Sequence, residues 1–189
     1  MIALKYTALI LLKILLFITV PFACILVPIF TRPQKPELDN YTWGWWWGTF
    51  DNPPQGDRGF IREHSFYPGV TTGLRGYLNR ALWMWRNPLY GFAKCAKADY
   101  EGSYILSIKG NHGISDKYGI AGWMHASLRN KGGRMKAFEW YSVTPWSKKR
   151  CLRIRLGWKI KTDKMQACGW SRLVFTCNPL DGFDNHRSA

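Results

Sequence analysis

Apolar residues fill the first thirty positions of the chain almost without interruption, and Lys13 is the only charged residue from position 7 to position 30. A helix needs about 20 apolar residues to cross the hydrocarbon core of a bilayer, so this stretch is long enough. Lys13 lies near its N-terminal end, where a lysine side chain can reach the lipid headgroups. Pro21 and Pro28 are expected to kink or end the helix. The pattern predicts a retained membrane helix over residues 1–30.

Three other interpretations of this segment are weighed against a membrane helix. A cleaved signal peptide has a shorter apolar core and a small-x-small cleavage site, whereas here the apolar run continues past positions 21–24 to Phe30. A lipoprotein signal would acylate Cys24, but Pro21 is unfavourable three positions before it. A buried core helix is rarely so long and so uniformly apolar. The membrane helix is the favoured interpretation.

Polar and proline residues at positions 31–42 predict a linker after the apolar segment. Further along, apolar residues recur with helical spacing and predict a soluble amphipathic helix from Leu74 to Trp85. Thr72 is placed to cap its start. Asn87-Pro88 ends it, because the residue before a proline avoids the helical conformation. The apolar face of this helix is predicted to consist of Leu74, Tyr77, Leu78, Ala81, Leu82 and Trp85.

From about residue 103 onward the pattern changes from helical to β. The clearest strand, Cys151–Lys161, alternates apolar residues with Arg, Gly and Lys, which predicts one face in the core and a basic stripe on the other. Gly132-Gly133 suits a tight turn between two strands. The fold class is therefore predicted as α+β: an N-terminal membrane helix, one soluble amphipathic helix, and an antiparallel β-meander of about four to five strands. The other strands are predicted at 104–108, 119–128, 135–143 and 173–177.

Two features of the composition are unusual for a chain of 189 residues: a formal net charge of +15 and eleven Trp residues. Such a charge indicates a polyanionic neighbour, either nucleic acid or anionic lipid. Tryptophan favours the membrane–water interface. The basic, Trp-rich domain over residues 43–189 is therefore expected to lie at a membrane surface. The Trp cluster after the linker is predicted to be a membrane-interface belt, with a buried aromatic cluster as the alternative; it comprises Trp43, Trp45, Trp46 and Trp47.

A dense group of basic residues begins at position 148 and continues along the clearest strand. Each cation near an anionic leaflet contributes about 1 kcal/mol of attraction, and the same group could bind a phosphate backbone. A solvated face without a partner is the plainer interpretation, but blocks of one sign usually mark interaction surfaces. The predicted basic surface comprises Lys148, Lys149, Arg150, Arg153, Arg155, Lys159 and Lys161.

No strong catalytic motif is present in the sequence: it has no phosphate-binding glycine loop, no G-x-S-x-G and no H-E-x-x-H. Acidic residues and one histidine around a Pro-Pro-Gly loop could bind a cation or transfer protons. The favoured interpretation is a structural turn in which Asp51 caps backbone N–H groups and Asp57 pairs with Arg58 or Arg62. We therefore predict no catalytic residue, no metal site and no cofactor. The weak polar candidates are Asp51, Asp57, Glu63, His64 and His112, with His125 as another isolated histidine and Asp116 as a neighbouring carboxylate.

The chain has five cysteines and no C-x-x-C pair, which argues against the usual zinc or redox spacing. Cys24 lies in the apolar segment. The other four, Cys95, Cys151, Cys168 and Cys177, could form two disulfides in an exported domain. Reduced and mostly buried thiols in a cytosolic domain are the favoured interpretation.

Several blocks of the sequence resemble an uncharacterised family of tailed-bacteriophage proteins, catalogued as a domain of unknown function. The resemblance covers roughly residues 43–183 and implies a phage origin and a bacterial host membrane for the apolar segment. It implies no activity, cofactor or catalytic residue. The blocks that carry it are WGTFDNPPQGDRGF (47–60), REHSFYP (62–68), YLNRALWMWRNPLYGF (77–92), FEWYSV (138–143), SKKRCLRIRLGWKI (147–160) and VFTCNPLDGF (174–183).

These observations lead to a membrane-anchored, non-enzymatic interaction protein at the host inner membrane. A single pass with a cytoplasmic domain is expected, because all but two of the Lys and Arg residues follow the apolar segment. Anionic lipid is the expected partner, together with a host or phage protein. The alternatives are an enzyme acting on an anionic or lipid-linked substrate, a nucleic-acid-binding protein, and a virion or assembly component.

Overall fold

The computed structural model describes residues 1–30, 46–48, 56–100, 104–160 and 170–184. The chain divides into two compact units. A helical unit comprises Ala8–Cys95, and a sheet unit comprises Met1–Thr7 together with Ala96–Ala189. The predicted linker, 31–42, lies outside the described residues.

The apolar N-terminal segment forms two helices, α1 (Ile2–Phe17) and α2 (Val20–Phe30), which are bent by 72° at the break between them. Pro21 has no N–H to donate, so the helix before it cannot continue regularly. The tight turn at the break is closed by hydrogen bonds from the N–H groups of Ile18 and Thr19 to carbonyls three residues earlier. The sequence prediction of a kink is confirmed near Pro21, where the segment divides into two helices, whereas Pro28 lies inside α2.

No single helix in the described part of the chain is long and apolar enough to cross a membrane. At a rise of about 1.5 Å per residue, α1 is about 24 Å long and α2 about 17 Å, both shorter than the hydrocarbon core of about 30 Å. The two bent helices taken together pass the same test by length and composition.

The remaining helices are short, apart from the amphipathic helix that the sequence predicts. This helix, α4 (Gly73–Arg86), is confirmed. In the described residues after α2 it is preceded by α3 (Arg58–Glu63) and followed by α5 (Tyr90–Cys95). Thr72 occupies the N-cap position of α4 without a side-chain cap hydrogen bond. Helix α4 ends at Asn87, before Pro88.

The buried face of α4 differs from the predicted one. Leu74 and Trp85 are exposed, whereas the buried residues of the helix include Asn79, Trp83 and Met84. The difference arises because a polar residue occupies the centre of the buried face. The Asn79 amide donates to the carbonyls of Tyr67 and Val70 at 2.7 and 3.1 Å and accepts from the Tyr67 N–H at 3.1 Å. The face predicted from the apolar periodicity is therefore rotated by about one residue from the face that is buried in the structure.

We expect Asn79→Ala to lower the free energy of unfolding of the helical unit by about 2 kcal/mol, because it removes three hydrogen bonds at a buried site. Urea denaturation of the detergent-solubilised chain measures this. Leu74→Ala, on the exposed side of the same helix, is the control and should change it by less than about 0.5 kcal/mol. Equal effects of the two substitutions would contradict the role assigned to Asn79.

Helices α2 and α4 pack together in the helical unit. Val20, Ala23 and Val27 of α2 form a buried cluster with Met84 and Leu89. Polar groups of α4 also bond to α2, since the Tyr77 hydroxyl donates to the Ile25 carbonyl at 2.9 Å and Arg80 Nε donates to the Pro28 carbonyl at 3.2 Å. Pro28 lies in the last turn of α2, where carbonyls have no intrahelical donor, so the bond from Arg80 satisfies one of them.

The sheet unit contains a five-stranded antiparallel sheet in the order β2-β3-β4-β5-β7, and a two-stranded pair, β1-β6. The predicted antiparallel meander is confirmed for β2 to β5, and Gly133, with a φ of 77°, turns the chain between β3 and β4 as expected. The strands are β1 (Ala98–Asp99), β2 (Tyr104–Gly110), β3 (Gly122–Asn130), β4 (Met135–Pro145), β5 (Arg150–Trp158), β6 (Trp170–Ser171) and β7 (Leu173–Gly182).

The strand register divides the side chains of the large sheet into two faces. The inner face is the more buried one and includes Met124, Ala126, Leu128, Ala137, Glu139, Tyr141 and Val143. The outer face carries the alternate positions. Gly157 of β5 lies opposite Glu139 with a φ of 99°, and a Cβ there would meet the Phe138 carbonyl oxygen at 2.1 Å. Glycine is therefore the residue that fits this position.

Strand β5 alternates as predicted, but its arginines do not form the solvent face. Arg153 pairs with Val143 and Arg155 with Tyr141 in the register, so both arginines extend from the inner face. Leu156, predicted to lie in the core, belongs to the outer face and is only half-buried. Trp158 is buried as predicted. The face assignment from sequence was wrong because carboxylates elsewhere in the chain neutralise the arginines.

Candidate membrane interface

The exposed side of α1 and α2 forms a continuous series of apolar residues, which we call the apolar surface. Every exposed residue between positions 8 and 30 is apolar. An exposed apolar surface of this extent usually marks a contact with a membrane or another protein. The apolar surface comprises Ala8, Leu11, Leu12, Ile14, Leu15, Phe17, Ile18, Pro21, Phe22, Ile25, Leu26, Ile29 and Phe30.

Lys13, the only charge in this stretch, is half-buried and does not belong to the apolar surface. It shares helical spacing with the buried or half-buried residues Ile10 and Leu16, three positions away on either side. Each neighbour on the apolar side, Leu12 and Ile14, is exposed. The lysine therefore leaves the apolar surface uncharged along its whole length.

Trp46 and Trp47, two of the four predicted interface tryptophans, pack against the buried cluster between α2 and α4. Their ring centroids are 4.8 Å apart. Trp47 Nε1 donates to the Thr19 hydroxyl at 2.9 Å, at the break between α1 and α2. Both residues are half-buried, as an interfacial tryptophan with one apolar and one polar side would be. Trp43 and Trp45 lie outside the described residues.

The start of α1 packs against the outer face of the sheet, within the sheet unit. The Tyr6 hydroxyl donates to the Val174 carbonyl at 3.0 Å. Its ring makes edge contacts with Phe138 and Trp158, at centroid distances of 5.2 and 5.5 Å. Burial raises the pKa of this hydroxyl above its ordinary value. Tyr6 therefore ties the first residues of the apolar segment to the sheet.

The predicted basic residues do not share one exposed face. Lys148, Lys149 and Arg150 are exposed where β4 turns into β5, and the Arg150 guanidinium donates to the Leu180 carbonyl at 2.9 Å. Lys159 is half-buried, and Lys161 lies outside the described residues. The exposed basic group is therefore smaller than the sequence indicates.

Arg153 and Arg155 pair with carboxylates on the inner side of the sheet. Arg153 bonds to Asp116 Oδ2 at 3.1 Å and forms an ion pair with Asp181. The Tyr141 hydroxyl donates to Asp116 Oδ1 at 2.7 Å, so the aspartate receives two donors. Burial, together with the bond to Asp116, raises the pKa of Tyr141 strongly. These charges cancel one another and cannot serve as free phosphate ligands.

Glu139 forms the second pair of this network. Its side chain is 0% exposed and forms an ion pair with Arg155, whose guanidinium also lies over the Tyr141 ring at 4.6 Å. The Ile160 N–H donates to its second oxygen at 2.7 Å. Burial raises the pKa of Glu139 above its ordinary value, and Arg155 opposes that shift. The arrangement satisfies a buried carboxylate and exposes no reactive atom.

The described weak polar candidates are divided between the two units. Asp57 accepts from the Phe60 N–H at 2.7 Å and caps α3, a structural role different from the pairing with Arg58 or Arg62 that the sequence suggested for it. His64 is exposed in the helical unit, whereas His112 is exposed in the sheet unit. His125 lies on β3 opposite Trp140. Asp51 and the side chain of Glu63 lie outside the described residues.

Among the residues that the structure covers, no group of three or more His, Cys, Asp or Glu side chains could hold a metal ion. Cys24, Cys151 and Cys177 are free thiols, Cys95 is exposed, and Cys168 lies outside the described ranges. Burial is the main reason that the pKa of Cys151 lies above its ordinary value. A raised pKa disfavours the thiolate that nucleophilic chemistry needs.

The outer face of the sheet exposes aromatic residues that sequence reasoning missed. The Trp123 and Trp140 rings are stacked, with centroids 5.4 Å apart and planes 9° apart. Trp140, Leu156 and Phe175 lie side by side across three strands. Period-two alternation in β3 and β4 could have located this face, but the apolar residues occur on both faces of those strands. An aromatic surface of this kind suits binding to a partner.

Comparison with known proteins identifies one family. The model of DUF7338, described as a family of unknown function, matches residues 1–184 and therefore includes the apolar segment. No curated protein and no solved structure matches the chain.

Proposed function

We propose a function on the premise that the chain belongs to DUF7338, a family of unknown function. The protein attaches to the inner membrane of a bacterial host during phage infection, with its basic domain on the cytoplasmic side. It acts there by binding a partner rather than by catalysis. The phage origin rests on the resemblance of the sequence blocks over residues 43–183.

The apolar surface is the observation that carries this proposal. Its side chains are uncharged and exposed from Ala8 to Phe30, and water is an unfavourable neighbour for so much apolar area. A bilayer removes that cost, because burying one such side chain contributes about 1.5–3 kcal/mol. Half-buried Trp46 and Trp47 beside α2, and the net charge of +15, suit the headgroup region of an anionic leaflet.

Two arrangements of the apolar segment in the membrane are open. One is the single pass expected from the sequence, made by the bent pair α1 and α2, which passes the length and composition test only when the two helices are taken together. The other is a segment that enters and leaves through one leaflet. The bend of 72° between the two helices is compatible with either arrangement.

Labelling of single cysteines distinguishes these arrangements. We expect Thr7→Cys and Lys148→Cys, each in a background without the other cysteines, to resist a membrane-impermeant maleimide in intact spheroplasts and to react once the membrane is opened. Retention of the protein on membranes through a carbonate wash tests attachment itself. A single pass would leave only the residue 7 position reactive in intact cells. Release by carbonate would refute membrane insertion altogether.

The competing functions have weaker support. An enzyme would need converging reactive groups, but Asp57 serves as a helix cap and Asp116 is paired with Arg153. Nucleic-acid binding through the β5 stripe would need free arginines beside exposed aromatics. Arg153 and Arg155 are instead paired with carboxylates, and Trp158 is fully buried. Binding at a membrane surface is instead supported by the apolar surface and by the half-buried Trp46 and Trp47.

A further inference from the structure

A large open cavity lies beside the start of α1, within the sheet unit. Its volume is about 920 Å³, within the range of small-molecule binding sites. Three separate segments supply its wall: the first turn of α1, strand β1, and the start of β4. Apolar walls come from residues such as Ile2 and Met135, and charged side chains come from all three segments.

The charges in this cavity are strongly unbalanced. Four cations line it, Lys5, Lys97, Arg134 and Lys136, against the single carboxylate of Asp99. Asp99 forms an ion pair with Lys97 at 2.9 Å. In the described part of the chain, no carboxylate lies within ion-pair distance of the other three cations. This differs from the β5 arginines, whose charges are cancelled by their own neighbours.

The first turn of α1 adds to the positive potential. Helix α1 has 16 residues and no acidic residue in its first turn. The N–H groups of a first turn have no helical acceptor, and the helix dipole places partial positive charge there. Anions bind such a helix end readily. Here basic side chains surround the helix end and line a cavity next to it.

We propose that this cavity binds a phosphate-bearing anion. Arg134 can bind phosphate through two parallel N–H donors, while the lysines contribute point charges. The source of the phosphate is either an anionic lipid headgroup or a soluble phosphate compound. The lipid source deepens the membrane attachment proposed above, because the apolar segment begins in the wall of the cavity.

Arg134→Gln/Lys136→Gln, measured against Lys109→Gln/Lys117→Gln at two exposed lysines outside the predicted basic surface, tests the proposal with full-length protein in detergent. Both pairs remove two positive charges, but only the first lies in the cavity. Binding of inorganic pyrophosphate is followed by calorimetry, and binding to vesicles of phosphatidylcholine with added phosphatidylglycerol by flotation. We expect the cavity pair to weaken binding of the preferred phosphate source roughly 30-fold, from about 1 kcal/mol per lost cation, and the control pair to weaken it much less.

The results separate the possible phosphate sources. Cavity-dependent binding to anionic vesicles, without binding of pyrophosphate, assigns a lipid headgroup; cavity-dependent binding of pyrophosphate assigns a soluble phosphate compound. If both double variants lost binding affinity equally, the loss would be explained by net charge alone, and the proposal would be overturned. Vesicles of phosphatidylcholine alone distinguish a failure of the proposed membrane attachment: protein that does not insert fails to float with them, whereas loss of the cavity cations leaves flotation with these neutral vesicles unchanged.

Discussion

Replacing Ile18, Phe22 and Ile25 together with Asn is expected to release the protein from membranes while leaving it folded. The three side chains are 70, 67 and 58% exposed, so few protein contacts are lost on substitution. In a bilayer each apolar side chain contributes about 2 kcal/mol of burial. The sum of about 6 kcal/mol corresponds to a decrease of roughly 10⁴-fold in membrane partitioning.

Vesicle flotation with neutral lipid measures this partitioning without a contribution from the basic residues. Far-ultraviolet circular dichroism of the same preparation checks that the helices and the sheet persist. The control variant replaces three apolar residues elsewhere, Phe66, Leu74 and Leu180, with Asn; these residues are exposed to a similar degree. If the control variant were released as readily as the triple variant, the apolar surface would have no special part in attachment.

The sequence predicted which segments form helices and strands more reliably than which sides they bury. The α4 boundaries and the meander from β2 to β5 follow from strong local periodicity and from Gly132-Gly133 at a turn. The division of residues 1–30 into two helices followed in part from Pro21, whose effect is local. Properties of this kind are set by neighbours in the chain, so a single sequence contains them.

The buried faces depended instead on contacts between distant residues. Arg153 and Arg155 look like a solvent stripe until Asp116, Asp181 and Glu139 are seen beside them. These carboxylates come from different strands and loops, so their pairing with the arginines cannot be predicted from spacing along the chain. A prediction from apolar alternation assumes that charged residues face solvent. That assumption fails for Arg153 and Arg155, whose charges are neutralised by carboxylates within the protein.

The candidate membrane interface was likewise only partly predictable. Apolarity of residues 1–30 was evident, but the position of Lys13 off the apolar surface required the packing of α1. The bond from Tyr6 to the sheet joins residues 168 positions apart. The cavity at the start of α1 combines three distant segments. Each of these features depends on tertiary structure that a local pattern does not encode.

Glu139→Ala is expected to be the most destabilising single substitution in the sheet unit. It leaves the Arg155 charge without its carboxylate and the Ile160 N–H without its acceptor, in a region where Glu139 itself is 0% exposed. Removing one partner of a buried ion pair costs about 3–5 kcal/mol. Urea denaturation of the detergent-solubilised chain, followed by tryptophan fluorescence, measures the loss. Asp99→Ala, which breaks an exposed ion pair with Lys97, should cost no more than about 1 kcal/mol.

The charge of Glu139 adds a pH dependence whose sign follows from its raised pKa. As pH increases, the unfolded chain releases the Glu139 proton near the ordinary value of 4.5, whereas the folded chain retains it to a higher pH. The folded state is therefore favoured by Glu139 at acidic pH, and this contribution falls as pH rises through the window between the two pKa values. Above the folded-state pKa the contribution is constant.

Glu139→Gln isolates this effect, because glutamine keeps the shape of the side chain and does not titrate. The free energy of unfolding of the native chain minus that of the Gln variant should be largest below pH 4.5 and should decrease as pH rises toward neutrality. Titrating groups common to both proteins cancel in this difference. A difference that increases with pH would mean that Arg155 outweighs burial at this carboxylate and lowers its pKa. Because the ion pair is buried and its partners are known, the sign of that slope decides which of the two influences dominates.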